Sequence, residues 1–108
     1  MPAAAPAIVV LITCPSAAVG EKIGQALVEA RLAACVNVVP RITSIYRWEG
    51  KVVRDREVLL LVKTRPARFA ALRRHVVALH PYSVPEIIAL PLRAGLPAYL
   101  DWIAQATR

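Results

Sequence analysis

Residues 80–87 read HPYSVPEI, placing His80, Tyr82 and Glu86 within seven positions and setting Pro81 and Pro85 between them. Imidazole, phenol and carboxylate are side-chain types that move protons and hold ligands. Glu57 and Lys63, from an earlier part of the chain, extend that inventory with a second carboxylate and an amine. No nucleophile motif, phosphate-cradling glycine loop or metalloenzyme signature accompanies them, so the residue types alone do not spell a reaction. Cys14 and Cys35 lie far apart with no CxxC spacing, which indicates neither a zinc knuckle nor a disulfide framework.

The elements that position these groups follow from periodicity. IVVLIT, residues 8–13, is a continuous β-branched run typical of a buried strand. Ser16 is placed to cap a helix on which Val19, Ile23, Ala26, Leu27 and Ala30 recur at helical spacing. From about Ala33 to Trp48 the pattern is β, with a bend or bulge expected at Pro40, and Glu49 and Gly50 turn the chain into a second long strand, Lys51 to Thr64. Pro66 opens a second helix carrying the stripe Phe69, Leu72, Val76 and Leu79, and Pro81 stops it at His80. Residues 86–92 make a short strand that Pro91 confines to an edge or an end. Gly95 and Pro97 then introduce a C-terminal helix with Tyr99, Leu100, Trp102 and Ile103.

The resulting order is a single α+β domain over residues 1–108, a ferredoxin-like βαββαβ unit with an extra C-terminal helix. Such a sheet carries helices on one face only, so its strands should alternate apolar and polar. VLLLV, residues 58–62, does not alternate: Val58, Leu60 and Val62 point one way and Leu59 and Leu61 the other. The second face therefore requires another subunit. A tight turn at 49–50 would set Tyr46 and Trp48 on one face with Asp55, Glu57, Leu59, Leu61 and Lys63, where Glu57 is expected to pair with Lys63 or an arginine or to line a ligand cleft.

At 108 residues and 57% hydrophobic, the chain has more apolar surface than a small domain can hide, which again points to oligomerisation. The net charge of +7 is spread along the sequence rather than clustered, as on a solvated surface. An RNA-binding ferredoxin-like domain is disfavoured, because the strand KVVRDREVLLLVKT carries no aromatic platform. The apolar start of the chain is too short to span a bilayer and has no basic residue ahead of it, so no membrane association and a cytoplasmic location are expected.

LAACVNVVP (32–40), SIYRWEG (44–50), Glu57 with Lys63 and Thr64, HPYSVPEI (80–87) and YLDWI (99–103) together resemble the CutA family of divalent-cation tolerance proteins. The resemblance covers almost the whole chain. It implies a homotrimer similar in architecture to PII signalling proteins, with sheets packed toward the threefold axis, and a response to metal ions that includes copper binding. Carried over, it makes His80 the candidate metal ligand, with Cys14, Cys35 and Glu86 as neighbours, a set whose imidazole and thiolates suit copper or another divalent ion. Some members carry a second histidine where this chain has Leu79. The resemblance implies no enzyme. The alternative is a PII-like small-molecule sensor, or an uncharacterised enzyme, using an intersubunit cleft of Tyr46, Trp48, Glu57, Lys63 and Tyr82.

Each of these residues also has a plainer role. His80 serves equally well as a cap on the preceding helix. Cys35 suits a packed core, whereas Cys14, beside Pro15 at a helix start, is expected to be exposed with a lowered pKa. Tyr82, Trp48 and Trp102 suit a subunit interface.

Overall fold

A computed structural model of the chain describes residues 5–108. Four strands and three α-helices follow one another as β1 (Ile8–Cys14), α1 (Ala17–Glu29), β2 (Cys35–Trp48), β3 (Lys51–Thr64), α2 (Phe69–Leu79), β4 (Ile87–Pro91) and α3 (Pro97–Ala106). The sheet is antiparallel throughout and ordered β2-β3-β1-β4. Pro91 thus falls on an edge strand, where its missing N–H costs no ladder bond. Pro66 starts a short 3-10 turn, Pro66–Arg68, and α2 proper begins at Phe69, the first residue of the apolar stripe and three residues after the proline expected to open the helix.

The helices α1 and α2 cover one face of the sheet. Val10, Ile12, Leu60 and Val62 from the strands meet Ile23, Leu27, Leu72 and Val76 from the helices, all with no exposed surface. Ser16 caps α1 by accepting the Val19 N–H at 3.2 Å. Two glycines let α1 approach closely, since a Cβ at Gly24 would stand 3.0 Å from Val36 and one at Gly20 3.1 Å from Leu60 and Val58. The helix ends where Arg31 takes a left-handed φ of 60°, so that the Arg31 N–H reaches Val28 O and the Leu32 N–H reaches Leu27 O. That pair of bonds is a Schellman motif, with Leu32 and Leu27 supplying its apolar contact.

The bend expected at Pro40 is present as a bulge: three steps of β2, Val39 to Ile42, oppose two steps of β3, Leu59 to Glu57, and Arg41 takes a φ of 60°. At the far end Glu49 and Gly50 both have positive φ, the geometry of a type I′ turn, and close Trp48 onto Lys51. Because β1 pairs only with residues 58–64 of β3, the outer half of the hairpin stands clear of the rest of the sheet, and the molecule extends to 52 × 25 × 22 Å.

The other face of the sheet has no helices over its centre. Register places Val9 and Leu11 of β1, Leu59 and Leu61 of β3, and Ile88 and Leu90 of β4 on it together. The first four are half-buried and the last two are each 51% exposed. The helix α3 closes one end, packing Leu100 and Ile103 against Ala7 and Ala34. Its C-terminus is tied down by Arg65, which donates to Thr107 Oγ1 at 2.8 Å and to Thr107 O at 2.5 Å, and by Arg68, which donates to Thr107 O at 2.6 Å.

Candidate functional site

The register of the hairpin brings Tyr46 and Trp48 onto the same face as Asp55 and Glu57. The corner after α2 then lays Tyr82 over them. Pro81 ends α2 at His80, whose backbone is extended and whose N–H still bonds Val76 O at 2.8 Å. From there Tyr82 reaches across to donate its hydroxyl to Glu57 Oε2 at 2.8 Å, and Tyr46 donates its own hydroxyl to Asp55. Two phenol–carboxylate pairs therefore stand side by side. Burial and the Glu57 bond push the Tyr82 phenol well above its ordinary pKa, and the Asp55 bond raises that of Tyr46. Held protonated, both hydroxyls are donors rather than general bases.

Around these pairs lie two adjoining cavities that share Tyr46, Trp48, Tyr82 and Val84 as walls. The larger, about 450 Å³, reaches Thr13, Ser44, Glu57 and Glu86, and the smaller, about 290 Å³, reaches Asp55 and Ser83. Both volumes lie at or near the range of small-molecule sites. No Lys, Arg or His lines either cavity among the described residues.

Four of the five expected cleft residues, Tyr46, Trp48, Glu57 and Tyr82, meet here, but Lys63 does not. It shares the face of Glu57 yet stands six residues further along β3, roughly 20 Å away at about 3.4 Å per residue. The expected Glu57–Lys63 pair is thereby corrected. Lys63 instead donates to Asn37 Oδ1 and approaches Cys35 Sγ at 3.9 Å. Asp55 is the member that sequence reasoning left outside the site, although its two-residue spacing from Glu57 had already placed it on the right face.

The metal candidates are not gathered within one chain. Cys14 continues the inward side of β1 after Val10 and Ile12 and is fully buried, which corrects the expectation of an exposed thiol with a lowered pKa. Burial and then the Glu57 charge push it up to about 11. Cys35 is half-buried on the opposite face of the sheet, beside Lys63, rather than packed in the core. His80 is buried at 7% exposure with both ring nitrogens occupied: Nδ1 accepts the Tyr82 N–H at 3.1 Å and Nε2 donates to Thr13 O at 2.7 Å. Its side chain thus ties α2 to β1 and caps no helix carbonyl. Glu86 is exposed at the rim of the cleft. Among the described residues no three His, Cys, Asp or Glu side chains stand close enough to hold one metal ion.

A model of the CutA1 divalent ion tolerance protein family matches residues 8–106. The chain belongs to that family. A divalent-cation tolerance protein CutA of Thermus thermophilus is 61% identical over 99 residues, covering 92% of this chain and 96% of the relative. The chain is also 50% identical over 96 residues to human protein CutA, covering 89% of this chain but only 54% of the human protein, and it spans 54% of the mouse CutA that it matches at 51% identity. The crystal structure of CutA1 from Oryza sativa superposes with a TM-score of 0.94 at 48% identity, covering 97% of this chain and 96% of that one. The Thermus thermophilus structure gives 0.93 at 59% identity, covering 94% and 99%. The fold is therefore shared with these CutA1 structures over nearly the whole chain.

Proposed function

We infer that the protein works as a homotrimer in tolerance of divalent cations, binding copper or another divalent ion with groups from more than one subunit. The observation that carries this reading is the uncovered apolar face of the sheet, on which Cys35 also sits. A strand such as β3, apolar on both sides, gains from docking a second copy there, at about 25 cal/mol for each Å² of apolar surface removed from water. The outer hairpin needs the same support, since a two-stranded ribbon is marginal on its own. Within one chain Cys35 stands opposite Lys63, roughly 20 Å along β3 from the Glu57 cleft that Glu86 rims, so a site that joins Cys35 to Glu86 takes them from different copies.

Sedimentation equilibrium with and without Cu²⁺, combined with copper titration of Cys35→Ser and Glu86→Gln, tests the reading. A trimer at micromolar concentration, with copper affinity lost in those variants, is expected. A monomer, or copper affinity unchanged in both, overturns it. The aromatic cleft favours a second reading, a small-molecule sensor, because its cavity of about 450 Å³ is of ligand size.

A further inference from the structure

The cleft combines acidic and aromatic walls. Asp55, Glu57 and Glu86, three of the seven acidic residues in a chain of net charge +7, line its two cavities, and no basic side chain among the described residues lines either; Arg41 and Arg56 border Glu57 only in a separate pocket. Tyr46, Trp48 and Tyr82 form the rest of the wall and keep 36–46% of their surface exposed to the cavities and solvent. Glu57 decides what this means. It is 93% removed from solvent, given its 7% exposure, it lines the larger cavity, and among the described residues its side chain has Tyr82 as its single hydrogen-bond partner, through Oε2. A carboxylate so withdrawn from water is costly unless a cation and further donors come to it.

We propose that this cleft binds a protonated primary amine on a small organic molecule. The ammonium group donates its hydrogens to Glu57 and to the neighbouring carboxylates, while its alkyl stem and charge lie against Tyr46, Trp48 and Tyr82. A bare metal ion fits less well, because the three carboxylates do not close on a single point among the described residues. An anion is opposed by three negative charges. This assignment rests on the small-molecule reading of the cleft and adds the class of ligand.

Three molecules with one carbon skeleton and different heads separate the outcomes: n-butylammonium, n-butanol and butyrate, titrated at equal ionic strength near neutral pH into the ¹⁵N-labelled full-length chain. The two indole N–H signals serve as reporters, Trp48 in the cleft and Trp102 on α3 as the internal reference. Butylammonium is expected to shift the Trp48 signal and leave Trp102 in place, with butanol and butyrate binding at least about fivefold more weakly. Glu57→Gln, whose amide oxygen still accepts the Tyr82 hydroxyl, and Glu86→Gln, at an exposed position that cannot act through folding, are each expected to lower butylammonium affinity about fivefold. Butanol or butyrate moving Trp48 as readily as the amine overturns the amine assignment while leaving a small-molecule cleft. Butylammonium affinity unchanged in both glutamine variants also overturns it. Silence of Trp48 toward all three overturns the amine and the small-molecule reading together.

Discussion

The imidazole Nε2 of His80 lies 2.7 Å from the carbonyl oxygen of Thr13, 67 residues earlier in the chain. The Tyr82 N–H can only donate, so Nδ1 of the same ring must accept and the ring proton sits on Nε2. His80 therefore fastens the corner after α2 to the end of β1, and with it fixes where Tyr82 emerges over Glu57. His80→Ala leaves a backbone donor and a backbone acceptor without partners and is expected to cost about 2 kcal/mol in chemical denaturation. An unchanged midpoint would show the tie to be idle.

Cys14 should behave as a silent thiol. A disulfide reagent at about pH 8 is expected to leave it unmodified until the protein unfolds, because the attacking thiolate is suppressed by burial. The same shift has a pH signature. Its folded pKa is raised from 9.0 to about 11, so its contribution to stability is complete below pH 9.0 and declines as pH rises toward about 11, where the folded thiol ionises as well. Denaturation midpoints of Cys14→Ala should lack that decline, and an identical decline in the variant would assign it to other groups.

Leu60 and Leu59 are neighbours in sequence with opposite fates. Leu60 is fully buried beneath the helices, so Leu60→Asp places an unpaired carboxylate in the core, at several kcal/mol against a typical total of about 5–15, and is expected to abolish folding. Leu59→Asp acts on the half-buried open face and is expected to leave the helical circular dichroism of the subunit while blocking assembly. A normal trimer from Leu59→Asp would mean that no copy covers that face.

Two left-handed positions respond in opposite directions to glycine exchange. Gly50 has a φ of 78° and no atom within 4 Å of where its Cβ would stand, so Gly50→Ala costs backbone strain alone, about 1 kcal/mol. Arg31 already bears that strain at a φ of 60°, and Arg31→Gly relieves about 1–2 kcal/mol of it while adding about 0.5–1 kcal/mol of unfolded-state entropy. A net gain near 0.5 kcal/mol is expected from thermal or chemical denaturation, and a loss would refute the assignment of strain to Arg31.

The parts of this molecule that alternation governs were legible from its sequence. The two apolar sides of residues 58–62, the hairpin face of Tyr46, Trp48 and Glu57, and the bulge at Pro40 all follow from counting by twos and from the missing N–H of proline. Distance along a strand was harder to read: Lys63 has the same parity as Glu57 but lies too far away to pair with it. The β-branched run stops at Thr13 and Pro15 follows, which hides the place of Cys14, though a further count from Val10 and Ile12 lands on it. The ring of His80 had no periodic signal, since its partner Thr13 is set by tertiary packing rather than by local spacing.

The extra residue between Val39 and Ile42 works as a parity switch for the hairpin. Before it, odd-numbered residues of β2, Cys35, Asn37 and Val39, share the face of Leu59 and Leu61; after it, even-numbered ones, Ser44, Tyr46 and Trp48, share the face of Asp55 and Glu57. Removing one residue there would set Val39 and Ile42 two steps apart, opposite Leu59 and Glu57, so the ladder would run on regularly and both aromatic rings would keep their face while the kink was lost. The face of the rings is thus held by the pairing that runs back from the turn at Glu49 and Gly50, and a single-codon deletion at Arg41 would straighten the arm that carries the cleft without turning the cleft over.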